Sequence, residues 1–371
     1  MTAQRDDVDR VAARPSRQTA GGRRIGGLDI ARGLAVLGMF GAHLGDTGEL
    51  GWDPATWKAL VDGRSSILFA TLAGVSIALI SGGRTAYTGR ELARARTRVL
   101  VRAAWVFAIG GVLELLDTFV AVILGVYAVL FVLALPFLRW PPARLLTAAG
   151  VVALAGPPLT LAVGQYATER DGEGGAFSFL FFTGYYPAAV WVAFVLVGLA
   201  VGRLDLGAAR VRAGLVASGT GAAALGYLGG WLSTRQLAPG QDLNGIEAGF
   251  GASGPWDAAW FAGAQPHTST TFEVVGSGGV AVAVIGACLV VADLLPRLTY
   301  PLASVGALAL SVYTAQLVAI AALDVDSSDD WGTWLRFTLT ALLLASVWRW
   351  RLGRGPLERL LTWSSQRVAG P

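Results

Sequence analysis

The sequence contains few charged residues, one lysine and one cysteine. Charged residues make up 15% of the 371 positions, whereas soluble proteins carry about 25%. The single cysteine, Cys288, excludes a disulfide framework and a thiolate zinc site, and we expect it to be a small packing residue. Because Lys58 is the only lysine, the pI of 9.5 comes from arginine. We do not interpret this as nucleic-acid binding, because the arginines fall where membrane topology would place them.

Apolar residues dominate the chain, at 54% of positions and a mean hydropathy of +0.56. Stretches long enough to cross a bilayer recur along it. We therefore predict an all-α fold, a polytopic integral membrane helical bundle of about ten transmembrane helices. The predicted spans are 26–44, 65–82, 102–117, 119–138, 145–165, 187–202, 213–233, 272–293, 302–323 and 333–350.

The connections between these spans alternate in charge. Arginines cluster in every second connection, and acidic or aromatic residues occupy the others. By the positive-inside rule, both termini are predicted to be cytoplasmic. The predicted organisation is a disordered cytoplasmic tail over 1–24, a transmembrane domain over 25–352 and a cytoplasmic tail over 353–371. The preference for arginine suggests a GC-rich bacterial genome, so we expect a multi-pass protein of the bacterial cytoplasmic membrane.

The longest predicted connection, about 233–271, lies on the outer side. It contains Trp256, Trp260 and His267. Connections of this length are uncommon unless they are functional or disordered, and the aromatic content favours an ordered lid or a substrate-facing surface.

Three ionisable residues occupy the first predicted span, in LDIARGLAVLGMFGAHL: Asp29, Arg32 and His43. On an α-helix, the eleven-residue step from Arg32 to His43 returns to nearly the same angle, about 16 Å further along the axis. Asp29 lies one turn before Arg32, so all three share one stripe. A charged group at the bilayer centre costs at least about 2.5 kcal/mol, which favours a functional role for the stripe.

Each residue of the stripe has two interpretations. Arg32 can pair with Asp29 structurally, or it can attract an anionic or carbonyl group while Asp29 orients it. His43 can cap a helix at the interface, or it can move protons near neutral pH. His267, the only other histidine, is predicted on the same outer side, with Glu273 as its partner or as a helix-start acid.

Several enzyme classes lack their signatures in this sequence. No HExxH spacing indicates a metal site, and no G-x-S-x-G elbow indicates a hydrolase. No phosphate-binding or dinucleotide fingerprint occurs at a strand-to-helix turn. We expect no metal.

The segment 24–43, R-I-x-G-L-D-I-A-R-G-L-A-V-L-G-M-F-x-A-H, resembles the first helix of the transmembrane acyltransferase superfamily. That group includes heparan-α-glucosaminide N-acetyltransferase, the YeiB-like bacterial membrane proteins and acyltransferase family 3, which shares the spacing of Arg32 and His43. Further resembling segments cover most of the chain, and they are 66–83, 182–206, 267–279 and 353–361. Many relatives have a histidine near ALSVYTAQ, where this chain has Gln316.

The resemblance implies an integral membrane enzyme that uses acetyl-CoA or another acyl-CoA as donor. It implies transfer of the acyl group from the cytoplasmic side to an acceptor, often a sugar or another envelope glycan or lipid, at the outer face. Arg32 would lie where the CoA arm enters. His43 would deprotonate the acceptor or carry the acyl group itself. Asp29 and His267 complete the expected site.

Two other functions fit the residues. The stripe could line a proton-coupled pathway in a transporter or flippase for an amphipathic metabolite. The chain could also be a non-catalytic partner in a cell-envelope assembly. The sequence leaves open whether the protein forms a homodimer.

Overall fold

The computed structural model describes residues 25–44, 51–169, 175–240, 257–326 and 331–370. The predicted tail 1–24 and Trp256 lie outside these ranges. The described residues form α-helices joined by short 3₁₀ or π turns, without strands. The helices are α1 Gly26–His43, α2 Arg64–Ile80, α3 Gly89–Glu114, α4 Leu124–Leu133, α5 Pro142–Glu169, α6 Gly175–Ser178, α7 Ala188–Gly202, α8 Ala209–Leu237, α9 Thr271–Leu294, α10 Tyr300–Ala307, α11 Ala309–Ala322, α12 Trp331–Leu352 and α13 Pro356–Ala369.

Within the described ranges, three segments are long and apolar enough to cross a membrane by themselves: Thr56–Ile80, Pro142–Tyr166 and Thr271–Leu294. Two bent pairs raise this number to five if each pair is one span. The predicted all-α membrane fold is therefore supported, and the count of ten spans and the cytoplasmic location of the termini stay predictions.

The segment 302–323, expected as one span, forms two helices instead. The helices α10 and α11 are bent by 82° at Leu308. A break leaves the first amide groups of the second helix without intrahelical acceptors. Here Glu358 of α13 supplies the acceptor, because its Oε1 atom accepts hydrogen bonds from the amides of Leu310 (2.9 Å) and Ser311 (3.1 Å). The other oxygen, Oε2, accepts from the Ser311 hydroxyl at 2.6 Å. The C-terminal helix thus stabilises the start of α11.

The helix α1 is largely buried among other helices. Gly33 of α1 and Gly306 of α10 lie so close to the facing backbone that a Cβ at either position would overlap a carbonyl oxygen. Gly27 meets the backbone of α9 in the same way. These close approaches hold α1, with its stripe of ionisable residues, in the interior of the bundle rather than at the lipid surface.

Glycines also bring other helix pairs together. Gly198 of α7 faces the Thr71 carbonyl of α2, and Gly279 of α9 faces the backbone of Ala223 in α8. Gly202, one turn after Gly198, faces the backbone of Val75 in the same way, so two small residues spaced by four let α7 pack closely against α2.

Two of the basic connections predicted from the sequence, those after α2 and after α7, meet at one end of the bundle. Arg203 donates to the carbonyl oxygens of Ala78 (3.2 Å) and Gly83 (2.6 Å) at the end of α2, and also to Leu138. Arg84 pairs with Asp205 at 3.0 Å, across two of the basic connections. We call this end of the bundle, where α1 begins, the basic end, and the end where α1 finishes the His43 end.

Candidate active site

Asp29 and Arg32 form the ion pair that their i,i+3 spacing allows. Arg32 Nη1 donates to Asp29 Oδ1 at 2.9 Å, and its Nη2 donates to the Ser76 hydroxyl at 2.9 Å. Asp29 is 1% exposed, and its Oδ2 atom lies 3.9 Å from Arg349 Nη2. The carboxylate therefore lies between two guanidinium groups, which offsets the cost of burying its charge.

A cluster of arginines surrounds this pair at the basic end. Arg102 of α3 is subject to repulsion from three nearby guanidinium groups, those of Arg354, Arg98 and Arg32. The Nε atoms of Arg98 and Arg102 are buried without a hydrogen-bond partner among the described residues. Converging cations with unused donors are the chemistry that binds a phosphate-bearing ligand. We call Arg32, Arg98, Arg102, Arg349 and Arg354 the arginine cluster.

His43 is the last residue of α1 and lies against α11. Its Nδ1 atom is 3.4 Å from Oε1 of Gln316, and its ring meets that of Tyr313 edge to face, with the ring centroids 6.3 Å apart. An amide oxygen can only accept a hydrogen bond, so this contact favours the tautomer with hydrogen on Nδ1, which donates to it. The lone pair of Nε2 is then available to take a proton or to attack a carbonyl.

His267 lies in the connection before α9 and is fixed by its neighbours. Its backbone amide donates to Glu273 Oε1 at 2.8 Å, and its Nε2 atom lies 3.4 Å from Asp62 Oδ1. The rings of Tyr185 and Tyr186 meet its imidazole edge to face, at centroid distances of 6.1 and 5.5 Å. His267 has a positive φ of 64°, which shows that the connection is held in a constrained conformation.

Glu273 serves both of its predicted roles. It lies in the first turn of α9, and its two carboxylate oxygens accept from the amides of His267 and Ser269, the latter at 2.6 Å. This buried carboxylate holds the connection against the start of α9.

Asp62 interacts with both histidines, in different ways. Besides contacting His267, its carboxylate acts electrostatically on His43. The structure therefore brings His43, His267 and Asp62 to one end of the bundle, as predicted for the two histidines. Asp29 and Arg32 lie at the other end.

Two of the apolar cavities formed by the described residues bear on this arrangement. The larger, about 690 Å³, lies between α11 and α12 and includes Phe40 of α1 and Gln316 in its wall. The smaller, about 480 Å³, lies among α5, α7, α8 and α9. Arg32 and His43 do not line either of these two cavities, so neither cavity runs along the stripe of α1. The larger cavity reaches the site through Gln316, the hydrogen-bonding partner of His43.

Two contributors that sequence reasoning missed are Gln316 and Asp62. Gln316 lies in ALSVYTAQ, the segment near which the resemblance implied a histidine, and this was a usable signal. Asp62 belongs to one of the predicted acidic outer connections, and no motif in the neighbouring sequence indicates a site role for it. In the part of the chain that the structure describes, no group of three or more His, Cys, Asp or Glu residues is arranged to hold a metal ion.

The all-helical fold, the apolar spanning helices and the stripe of ionisable residues with its buried Asp29 define a multi-pass membrane protein with a polar site inside its bundle. The model of the heparan-alpha-glucosaminide N-acetyltransferase catalytic family matches residues 24–231, and the chain belongs to this family. Membership indicates a membrane N-acetyltransferase. A comparison with curated proteins gives no match.

The matched region contains part of the site. It includes Asp29, Arg32, His43 and Asp62, together with Arg98 and Arg102. Gln316, His267 and Glu358 lie beyond it, so their assignment rests on the contacts described above.

Proposed function

We propose that the protein is an acyl-CoA-dependent membrane acyltransferase that transfers an acetyl or other acyl group to an acceptor at the outer face. The acceptor is a sugar or another envelope glycan or lipid. The basic end would face the cytoplasm, as the positive-inside rule requires, and the membrane would be the bacterial cytoplasmic membrane. The observation that carries the proposal is the contact of His43 with Gln316, in which His43 belongs to α1 and lies inside the family match.

The arginine cluster would bind the phosphate groups of CoA. Guanidinium groups bind phosphate bidentately, and the unused Nε donors of Arg98 and Arg102 are suited to this. Arg32 is already held by Asp29 and Ser76, so it would present a fixed positive charge at the entry of the CoA arm. In this proposal Asp29 acts by positioning Arg32.

His43 would act as the base at the other end of α1. The acceptor hydroxyl or amine gives its proton to Nε2 of His43, and its oxygen or nitrogen bonds to the thioester carbonyl carbon. The C–S bond breaks, and CoA leaves as a thiolate that takes up the proton. His267 and Asp62 would bind the acceptor nearby, because they provide polar groups beside two tyrosine rings. In the alternative route, His43 carries the acyl group itself, and the same Nε2 atom bonds to the acyl carbon before the acceptor takes it over.

The test is acetyl-CoA consumption by the purified protein. CoA release is measured with glucosamine and, separately, with a total membrane extract as acceptor source. We expect release with the wild type and a loss of about 10²-fold or more in His43→Gln, the effect of removing a general base. The matched variant, His267→Gln, is expected to raise the acceptor KM and to retain turnover. Folding of each variant is checked by circular dichroism.

A folded protein that consumes no thioester with either acceptor source contradicts the proposal. Movement of an amphipathic metabolite coupled to pH, without thioester consumption, would instead support a transporter.

A further inference from the structure

The cavity between α11 and α12 is an elongated groove. Its α12 wall extends from Thr333 to Trp348, about 22 Å at 1.5 Å per residue. This is most of the roughly 30 Å thickness of a bilayer's hydrocarbon core. Leu344, in the same wall, is 61% exposed, so the groove opens sideways toward the lipid. We call it the α11–α12 groove.

One polar group in the wall of the groove lacks a partner. Gln316 is 3% exposed and lines the groove, and its Nε2 atom has no hydrogen-bond partner among the described residues. Its Oε1 atom is engaged by His43. A buried donor without an acceptor is costly, and a ligand oxygen in the groove would remove that cost.

The two ends of the groove differ chemically. At the His43 end, the wall includes Thr333 and the cation Arg336. Toward the basic end, it includes Trp348, whose indole donates to the Arg354 carbonyl at 3.2 Å. Between these ends the wall is mainly apolar, with Phe40 and Ala315 among its members. An apolar chain with a polar, anionic head near Arg336 fits this distribution.

We propose that the α11–α12 groove binds the hydrocarbon chain of a lipid-linked acceptor with an anionic phosphate head. This inference rests on the proposed function and specifies the acceptor. The chain lies along α11 and α12, and Gln316 donates to an oxygen of the acceptor where it reaches His43. The volume of about 690 Å³ lies within the range of about 300–1,000 Å³ that is typical of ligand pockets.

The lateral opening favours the acceptor over the donor as occupant. A lipid diffuses within the bilayer and can enter a groove that opens toward the hydrocarbon core. CoA carries several phosphate charges, whose transfer into hydrocarbon is strongly unfavourable, so it cannot approach by this route. The arginine cluster at the basic end offers CoA a charged entry instead.

The test is photo-crosslinking of the full-length protein in vesicles. The probe is octadecyl phosphate with a diazirine in the alkyl chain, diluted into phosphatidylcholine. We expect saturable labelling of α11 and α12 peptides. The Ala315→Trp variant, which fills the groove from an exposed position, is expected to weaken probe affinity by at least about tenfold, because the indole displaces several buried methylenes. The matched variant Val318→Trp, on an exposed position of α11 outside the groove wall, is expected to leave labelling unchanged.

Labelling that is proportional to probe concentration and equal in both variants would show annular lipid only and would overturn the inference. Binding of acetyl-CoA and its consumption with glucosamine are measured on the same preparations. If these persist while saturable labelling is absent, the groove inference fails alone. If saturable labelling is present and no thioester is consumed, the proposed function fails, and the groove is then a lipid site of another kind.

Discussion

The Nδ1 atom of His43 lies 3.4 Å from Oε1 of Gln316, a residue 273 positions further along the chain. The contact joins the last residue of α1 to α11, the second half of a broken helix pair. It favours one histidine tautomer and leaves Nε2 available for chemistry. The buried amide therefore serves as a positioning residue for His43.

Replacing Gln316 with leucine removes this contact with little change in size. We expect kcat to fall by up to about 100-fold, because small changes in the position of a reacting group have effects of this order. The KM for acetyl-CoA is expected to stay unchanged, since the arginine cluster lies at the other end. Steady-state CoA release measures both, and the Gln316→His variant, which places a hydrogen-bond acceptor beside His43 again, is expected to retain activity. An unchanged kcat in folded Gln316→Leu would show that the amide does not position His43.

The arginine cluster gives a prediction about donor binding. Substituting Arg102→Gln removes one guanidinium from the proposed phosphate site, and we expect the KM for acetyl-CoA to rise about tenfold, the effect of losing about 1.4 kcal/mol of binding. The kcat is expected to change little. Arg94→Gln, at an exposed position of the same helix, is the matched control. Equal effects of the two substitutions would mean that the general charge of α3, and not this cluster, attracts the donor.

Glu358 links the C-terminal helix to the site. Replacing it with alanine leaves the amides of Leu310 and Ser311 without their acceptor, which costs about 1–2 kcal/mol for a helix N-cap. We expect a lower Tm in detergent and a lower kcat, because α11 carries Tyr313 and Gln316. Glu358→Gln keeps one carbonyl acceptor, so its Tm and kcat are expected to lie between those of the wild type and the alanine variant.

The matched control for this experiment is Glu91→Ala, which removes an exposed acid from the first turn of α3. We expect it to have no effect on kcat. A Glu358→Ala protein with unchanged Tm and unchanged kcat would show that α13 does not stabilise the break.

Asp62 and His267 are expected to act together on the acceptor. We expect both Asp62→Asn and His267→Gln to raise the KM for the acceptor. In the double variant, the combined effect should be smaller than the sum, because residues in contact are not independent. The acceptor dependence of CoA release measures this coupling. Strictly additive effects on KM would show that Asp62 and His267 act independently on the acceptor.

Local sequence patterns predicted much of the fold. Helical periodicity placed Asp29, Arg32 and His43 on one stripe, and the pairing of Asp29 with Arg32 is a direct consequence of i,i+3 spacing. Apolar length located most of the helices to within a few residues. The alternation of arginines along the chain predicted which connections meet at one end, as the contact of Arg84 with Asp205 illustrates.

The break at Leu308 was not predictable from its own neighbourhood. The segment 302–323 is apolar over most of its length, a pattern that predicts one continuous helix. The bend is stabilised by Glu358, which lies 48 residues beyond Leu310, and no local pattern reports such a partner. The same holds for Gln316 and His43, since their contact depends on how α11 is oriented after the bend.

The most direct test of the account uses sealed inside-out membrane vesicles from cells that produce the protein. Acetyl-CoA labelled in the acetyl group is added outside, on the proposed cytoplasmic face, and label in glycans and lipids of the vesicle lumen is measured. The account predicts label on the luminal side for the wild type and none for His43→Gln. Label on the outer face alone, or equal luminal label in the two proteins, would contradict transfer from the arginine cluster to His43.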